Sequence, residues 1–251
     1  MASLRAKPST AGPNSTAPPA TAATTPPWSS PSPERQDQGR HAERCRFYLI
    51  TPPALDPDGF VDVLADALDG GDVACVQLRL AAVDETGLLD AAKTLMPVCH
   101  QRDVAFLIDG RADVAAEAGA DGVHLAAPTG LLEARLRLGG DAIIGVSCGG
   151  SRHAGMLAAE AEVDYVSFGA FYPSTTKPDA AVIEPDILSW WDELMETPCA
   201  AIGGITPETA PALVSAGANF LAVSGAVWNH GQGARAAVAA FNAAIESVPA
   251  T

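Results

Sequence analysis

Residues 142–169, AIIGVSCGGSRHAGMLAAEAEVDYVSFG, contain one complete unit of the pattern from which the fold can be inferred. Two short apolar runs, Ala142–Val146 and Tyr165–Gly169, flank the Ala-rich segment Arg152–Ala161, whose apolar residues recur at helical spacing. Each run is too short for a helix and lacks the clean alternation of a half-exposed strand, as expected for a strand buried on both faces. The stretch therefore predicts a strand–helix–strand unit with parallel strands.

The same alternation repeats along the chain from Cys45 onward. Eight apolar runs have the length of strands: Phe47–Ile50, Ala74–Leu78, Val104–Ile108, Gly122–Leu125, Ala142–Val146, Tyr165–Gly169, Ala200–Gly203 and Phe220–Ser224. Eight segments of helical period accompany them: Asp58–Leu68, Glu85–Met96, Ala112–Ala118, Leu131–Leu138, Arg152–Ala161, Pro185–Leu194, Pro207–Ala216 and Ala234–Ile245. Eight strand–helix units predict an α/β fold with a single TIM barrel over residues 45–251. A doubly wound open sheet is the alternative, although no GxGxxG motif follows the first strand.

Local signals mark where some helices begin and end. Asp58 is a candidate N-cap for the first helix, because its carboxylate can accept a hydrogen bond from an unpaired backbone amide. Three later helices end in a shared phrase with an Asp or Asn directly before the next strand, at Asp121, Asp164 and Asn219. This phrase is interpreted as the helix-to-strand loop of a repeating unit.

The formal charge of −15 is divided unevenly along the chain. Residues 1–44 carry a net charge of +2 and residues 45–251 a net charge of −17. Residues 1–44 are rich in Pro, Ser, Thr and Ala, a composition that predicts a disordered tail, with an organelle transit peptide as a weaker alternative. Nucleic acids and anionic membranes are bound through Lys and Arg, so the acidic body argues against both partners. No apolar run is long enough for a membrane span.

The cysteines indicate the cellular compartment. Five cysteines are an odd number, and they form no CxxC pair. This pattern argues against a disulfide framework and a zinc ribbon. It predicts a protein of a reducing compartment, and we expect a cytoplasmic location.

Phosphate-binding chemistry gathers at the predicted carboxyl ends of strands 6 to 8, where TIM barrels commonly hold phosphate groups. Glycines let backbone amides approach an anion closely, and hydroxyl and lysine side chains add donors and charge. The residues with this chemistry are Ser174, Thr175, Thr176, Lys177, Gly203, Gly204 and Ser224. They predict a phosphorylated small molecule as ligand; the alternative is that the glycines serve only turns and close packing.

Positive charge is scarce in the acidic body but recurs at the same end of the barrel. Arg79, Arg111, Arg152 and Lys177 all follow predicted strands. A cationic mouth on an acidic body favours an anionic small-molecule ligand. For Arg111 and Arg152 a surface ion pair with residues such as Asp113 or Glu160 is an equal alternative.

These motifs together resemble the thiamine phosphate synthase family, which includes the related thiazole tautomerases. The similarity runs from about Phe47 to about Ile245 and rests on VQLR (76–79), DGVHL (121–125), IGVS (144–147), YVSFG (165–169), STTK (174–177) and AIGGI (201–205). The resemblance implies a TIM barrel that joins hydroxymethylpyrimidine diphosphate to thiazole phosphate with release of pyrophosphate. It implies a dissociative reaction assisted by magnesium and basic residues.

The resemblance also assigns roles to individual residues. Arg79, Ser147 and Lys177 would be catalytic, with Ser147 near the leaving pyrophosphate. The residues implied in substrate binding are Gln77 and Arg79 on the pyrimidine diphosphate side, Ser174, Thr176 and Lys177 around the phosphates, and Gly203, Gly204 and Ser224 at the thiazole phosphate. The resemblance leaves the oligomeric state open, with a homo-oligomer as one alternative.

Three positions depart from the synthase pattern. Ala81 replaces a lysine, and Gly110 and Thr129 replace the two aspartates expected to bind Mg²⁺. Asp109 is the remaining candidate metal ligand, but it lies one residue early, where a strand turns its side chain to the other face.

Three functions therefore remain open at this point. The first is a thiamine phosphate synthase with a rearranged metal site. The second is a non-catalytic binder or regulator that retains a site for thiazole phosphate or thiamine phosphate. The third is a tautomerase or epimerase of a phosphorylated small molecule: that branch has its catalytic histidine where this chain has Gly149, which leaves His153 as the candidate acid or base.

Overall fold

The computed structural model describes residues 45–174 and 179–249, and within them a closed parallel barrel. Each strand pairs with the next along the chain, and the last pairs with the first. The strands are β1 Arg46–Ile50, β2 Val73–Leu78, β3 Ala105–Asp109, β4 Gly122–Leu125, β5 Ile143–Gly149, β6 Tyr165–Gly169, β7 Cys199–Ile202 and β8 Phe220–Val223. This confirms the predicted TIM barrel and excludes the open sheet. The predicted tail, residues 1–44, lies outside the described residues.

Helices connect the strands on the outside of the barrel. They are α1 Pro57–Leu68, α2 Glu85–His100, α3 Ala112–Ala118, α4 Leu131–Leu138, α5 Arg152–Glu160, α6 Asp186–Leu194, α7 Ala210–Ser215, α8 Gly225–Trp228 and α9 Ala234–Glu246. The short helix α8 was not predicted, because four residues are too few to show a helical period. The predicted N-cap Asp58 is wrong. Asp56 caps α1 by accepting from the Gly59 amide, and Pro57 takes the first helical position.

Two apolar layers hold the barrel together. The larger layer lies between the strands and the surrounding helices and includes Phe168, whose ring meets that of Trp191 edge-on at 5.1 Å. The smaller layer fills the barrel interior, with Tyr48, Leu107, Tyr165 and Phe220 among its members. Neighbouring residues of one strand therefore serve different layers, which is why the strands are apolar without clean alternation.

The amino ends of the strands are fastened in pairs. The residues directly before β4, β6 and β8 are Asp121, Asp164 and Asn219, and their side chains accept from the backbone amides of Phe106, Ile144 and Cys199 at 2.7–2.8 Å. Each amide belongs to the start of the preceding strand. The shared phrase found in the sequence is therefore a clamp between neighbouring strands.

The first pair of strands uses a variant of this clamp. Asp72, directly before β2, binds the guanidinium of Arg46 at the start of β1, with nitrogen–oxygen distances of 2.7 and 2.6 Å. An ion pair here replaces the amide hydrogen bond of the other pairs. No helix within residues 45–174 and 179–249 is long and apolar enough to cross a membrane.

Candidate active site

The carboxyl ends of the strands form one mouth of the barrel, and Thr51 joins three of them. Its hydroxyl accepts from the Arg79 amide at 3.0 Å, which ties the ends of β1 and β2. Its carbonyl accepts from the Ser224 hydroxyl at 3.2 Å, which adds the junction of β8 and α8. Two predicted substrate-binding residues, Arg79 and Ser224, are thereby positioned around one buried threonine.

Arg79 differs from the other arginines of the described chain in its electrostatics. Seven arginines between residues 45 and 249 make ion pairs: Arg46, Arg102, Arg111, Arg135, Arg137, Arg152 and Arg235. The guanidinium of Arg79 makes none within residues 45–174 and 179–249. In a body of net charge −17, an arginine at the barrel mouth with no ion-pair partner among the described residues is available for an anionic ligand.

Arg111 and Arg152 are held on the surface instead. Arg111 pairs with Asp113 at 2.7 Å and with Glu85, and the hydrogen bond from Arg111 lowers the pKa of Asp113 to about 2. Arg152 pairs with Asp186 at 2.9 Å and lies 4.8 Å from the ring centre of Trp190. The surface alternative is therefore confirmed for both arginines, although the partner of Arg152 is not the expected Glu160.

Gly203 and Gly204 allow the loop after β6 to lie directly on the loop after β7. Both have positive φ, +102° and +65°, a conformation that side chains rarely adopt. An added Cβ at Gly203 would overlap Ala170, and one at Gly204 would overlap the carbonyls of Tyr172 and Pro173. The glycines thus have the close-packing role that the sequence left open. Their binding of phosphate stays a prediction.

A chain of buried polar side chains crosses the barrel interior below the mouth. Gln77 donates from Nε2 to Oδ1 of Asp109 at 2.5 Å and accepts at Oε1 from the Tyr48 hydroxyl at 2.9 Å. The hydroxyls of Tyr48 and Tyr165 are 2.8 Å apart. Gln77 is buried, and both ends of its amide are hydrogen-bonded within the protein. Its role in binding substrate stays a prediction.

The same chain continues from Tyr165 to the opposite wall. His124 places Nδ1 2.8 Å from the Tyr165 hydroxyl and Nε2 2.9 Å from Oγ of Ser147. Oγ of Ser147 is 3.4 Å from Oγ of Ser167. We call the residues from Asp109 to Ser167 the interior hydrogen-bond chain. It connects a predicted metal ligand to a predicted catalytic serine.

Burial keeps the two tyrosines of this chain protonated. Burial is the largest of the effects that raise the pKa of Tyr48 and of Tyr165 well above the usual value. Space for the Tyr165 ring comes from Gly145, its register partner on β5, since an added Cβ at Gly145 would overlap the ring. Sequence reasoning missed both tyrosines; the available signal was a tyrosine inside an otherwise buried strand, where a hydroxyl needs a partner.

The described residues do not fit a magnesium site built from carboxylates. No group of three His, Cys, Asp or Glu residues within ranges 45–174 and 179–249 could hold a metal ion. At the end of β3, Asp109 already accepts from Gln77, and Gly110 follows it. Mg²⁺ takes oxygen ligands, commonly one or two carboxylates with substrate phosphates, so one occupied carboxylate is a poor anchor. Asp109 as a metal ligand stays a prediction.

Two further groups of residues were predicted from the sequence to take part in binding or catalysis. Thr175, Thr176 and Lys177 lie outside the described residues. His153, the candidate acid or base of a tautomerase, is exposed on the first turn of α5, as a surface histidine would be.

Comparisons with known proteins identify related proteins over most of the chain. A family model described as thiamine monophosphate synthase matches residues 47–227. The thiamine-phosphate synthase of Rhodospirillum centenum is 57% identical over 199 residues, 79% of this chain and 96% of that protein. That of Hyphomonas neptunium is 46% identical over 220 residues, 84% of this chain and 99% of that protein.

A solved structure extends the agreement to three dimensions. The thiamine phosphate pyrophosphorylase from Pyrococcus furiosus superposes with a TM-score of 0.72 at 29% identity, covering 82% of this chain and 98% of that one. Its barrel and the sequence relatives point to one family. The chain therefore belongs to the thiamine monophosphate synthase family.

Proposed function

We propose that this protein is a thiamine phosphate synthase, which joins hydroxymethylpyrimidine diphosphate to thiazole phosphate in thiamine biosynthesis. The carbon–oxygen bond to the diphosphate breaks, pyrophosphate leaves with the bonding electrons, and the thiazole nitrogen forms the new carbon–nitrogen bond. Membership of the family supports this reaction, and the substrates match the phosphorylated small molecules expected from the sequence.

The single observation that carries the proposal is the guanidinium of Arg79 at the mouth, which makes no ion pair with any residue of ranges 45–174 and 179–249. A diphosphate leaving group needs positive charge and donors where its charge develops, and this electrostatic contribution is commonly the largest in catalysis. The other arginines of the described chain are neutralised by carboxylates. In the proposed complex Arg79 binds the diphosphate, assisted by Lys177, while Gly203, Gly204 and Ser224 hold the thiazole phosphate.

The steps proposed for this chain's own residues do not use magnesium. In the synthase pattern the metal is bound by aspartates at the positions that Gly110 and Thr129 occupy in this chain. A metal ion bound by the diphosphate itself would add charge to the leaving group without needing those carboxylates. Activity measured with and without added Mg²⁺ determines whether such a dependence exists.

A second function is favoured by the same two replacements. Loss of both metal-binding aspartates is the change expected if the protein binds thiazole phosphate or thiamine phosphate without catalysis. Both functions predict ligand binding at the mouth. Only a measurement of turnover therefore distinguishes the enzyme from the binder.

The experiment is an assay of the purified full chain with both substrates and Mg²⁺, which measures thiamine phosphate and pyrophosphate. We expect both products in equal amounts. Arg79→Ala is expected to lower kcat/KM by about 10- to 100-fold, the value of one charge-assisted hydrogen bond. The matched control Arg137→Ala removes an exposed arginine paired with Glu133 and is expected to leave kcat/KM unchanged. Absence of both products at high enzyme concentration, with binding of thiazole phosphate by calorimetry, would establish the binder instead.

A further inference from the structure

Thr51 interrupts the regular hydrogen-bond ladder between β1 and β2 at the point where both strands reach the mouth. Its amide donates to the Gln77 carbonyl at 3.0 Å, as in any parallel ladder. The next bond of that ladder would run from the Arg79 amide to the Thr51 carbonyl. Instead the Arg79 amide donates to the Thr51 hydroxyl at 3.0 Å, and this hydroxyl donates to the Arg79 carbonyl at 3.4 Å. One buried hydroxyl therefore holds both main-chain polar groups of Arg79.

The carbonyl that this ladder does not use accepts from the other neighbour of β1. The Ser224 hydroxyl donates to the Thr51 carbonyl at 3.2 Å, and the Trp228 indole donates from Nε1 to the Ile50 carbonyl at 2.7 Å. Ser224 directly precedes α8 and Trp228 ends it. The Trp228 ring also packs against that of Phe60, with centres 4.9 Å apart. The two ends of α8 are thus bound to successive carbonyls at the end of β1.

The two sides of the mouth therefore depend on different chemical groups of the same short segment. On the β2 side, Arg79 is held by a side-chain hydroxyl, and the following loop is held by the bond from the Ala81 amide to the Pro53 carbonyl at 2.7 Å. On the β8 side the acceptors are main-chain carbonyls, which every substitution at position 51 keeps. A carbonyl oxygen can accept two hydrogen bonds, so without the hydroxyl the Arg79 amide can move to this carbonyl and Ser224 can stay.

We propose that Thr51 and Trp228 are positioning residues that act on the two substrates separately. The Thr51 hydroxyl positions Arg79 for the pyrimidine diphosphate, and the Trp228 indole positions α8 and Ser224 for the thiazole phosphate. The inference rests on the proposed function for the identity of the two ligands. Both residues act through the groups that they hold, and a misplacement of about 1 Å at such a group costs up to about 10²-fold in rate.

The first half of the test removes the Thr51 hydroxyl and measures the affinity for each substrate alone by calorimetry. Thr51→Val keeps the branched side chain, and Thr51→Ala is the second variant if the valine variant does not fold. We expect hydroxymethylpyrimidine diphosphate to bind about tenfold more weakly, the effect of one lost hydrogen bond, and thiazole phosphate to change less than about twofold. Thr51→Ser restores the hydroxyl and should bring the affinity for the diphosphate back to within about twofold of the wild type.

The second half of the test is Trp228→Phe, for which we expect the opposite pattern. A phenyl ring still packs against Phe60 but has no donor for the Ile50 carbonyl. Thiazole phosphate should bind about tenfold more weakly and the diphosphate within about twofold of the wild type. The matched controls Thr94→Val on α2 and Trp190→Phe on α6 lie outside this segment and should leave both affinities unchanged.

The crossed pattern distinguishes positioning from a general loss of stability, which urea unfolding of each variant measures separately. Equal losses for both ligands without the hydroxyl, or a Thr51→Ser protein that binds the diphosphate no better than Thr51→Val, would overturn the role of Thr51. Equal losses in Trp228→Phe would overturn the separation of the two sides. None of these measurements requires turnover. A synthase assay without products therefore refutes the proposed function, whereas an uncrossed pattern in an active enzyme refutes only this inference.

Discussion

Gly145→Ala is expected to destabilise the barrel strongly, because the added methyl group must share space with a buried ring. The Cβ would overlap the Cζ end of Tyr165, whose side chain is almost completely buried and cannot swing to solvent. Overpacking of a core costs about 1–3 kcal/mol. Displacing the ring also lengthens its hydrogen bonds to Tyr48 and His124, each worth about 1 kcal/mol. The total is about 3–5 kcal/mol in the free energy of unfolding.

Urea and thermal unfolding of the full chain measure this effect. For a domain of this size, 3–5 kcal/mol corresponds to a fall in Tm of about 6–20 °C. Gly140→Ala is the matched control: its φ is ordinary and nothing lies within 4 Å of the added Cβ, so it should change stability little. In a double-mutant cycle, Tyr165→Leu should relieve most of the penalty of Gly145→Ala. A loss below about 1 kcal/mol, or additive single effects, would refute the packing argument.

Three further predictions concern the frame and its titrating groups. Asp164→Ala should cost about 2–3 kcal/mol, because it leaves the Ile144 amide without its acceptor and removes the carboxylate that pairs with Arg135. Asp164→Asn keeps an acceptor for the amide and should cost less, and the exposed Asp141→Ala control changes stability within about 0.5 kcal/mol in urea unfolding. The pKa of Asp113 is lowered to about 2 by Arg111, so this pair contributes stability above the unfolded pKa near 3.8 that is lost as the pH falls through about 2. The difference in Tm between wild type and Arg111→Ala should therefore shrink over that pH range and be small throughout, since the pair is partly exposed; a difference that grew on acidification would contradict this. All five thiols are buried, and burial raises even the pKa of Cys148 to about 11, so a thiol reagent should label none of them in the folded protein and all five in urea.

The order and nature of the eight strands, and of the described helices apart from the short α8, could be predicted from sequence because each carries a local signal. β4 and β6 occur with the predicted bounds, since a run such as Tyr165–Gly169 is too short and too apolar for anything but a buried strand. The N-cap of α1 could not be chosen in the same way. Asp56 and Asp58 both suit a cap, and Pro57 selects Asp56 only once its place in the first turn is known.

The site was predictable only as a set of strand ends. Which strand ends carry Arg79 and Ser147 follows from counting strands, but which cations remain unpaired depends on side chains far apart in sequence. Arg152 meets Asp186 across 34 residues, and no local pattern indicates that pairing. The interior hydrogen-bond chain was missed for the same reason, because Tyr48 and Tyr165 are 117 residues apart and become neighbours only through barrel closure.

The strand clamps give the barrel a modular construction. Each of them fastens an odd-numbered strand to the even-numbered strand after it, by an acceptor directly before β2, β4, β6 or β8. The chain is in this respect four copies of one strand–helix–strand–helix quarter, each secured at the end opposite the mouth. A cut made between quarters leaves every clamp intact, and a cut within a quarter separates one. Circular permutants can be opened between quarters, in the connection from β4 to β5 or from β6 to β7, or within a quarter, between β5 and β6. The permutants opened between quarters should accordingly tolerate the new termini better.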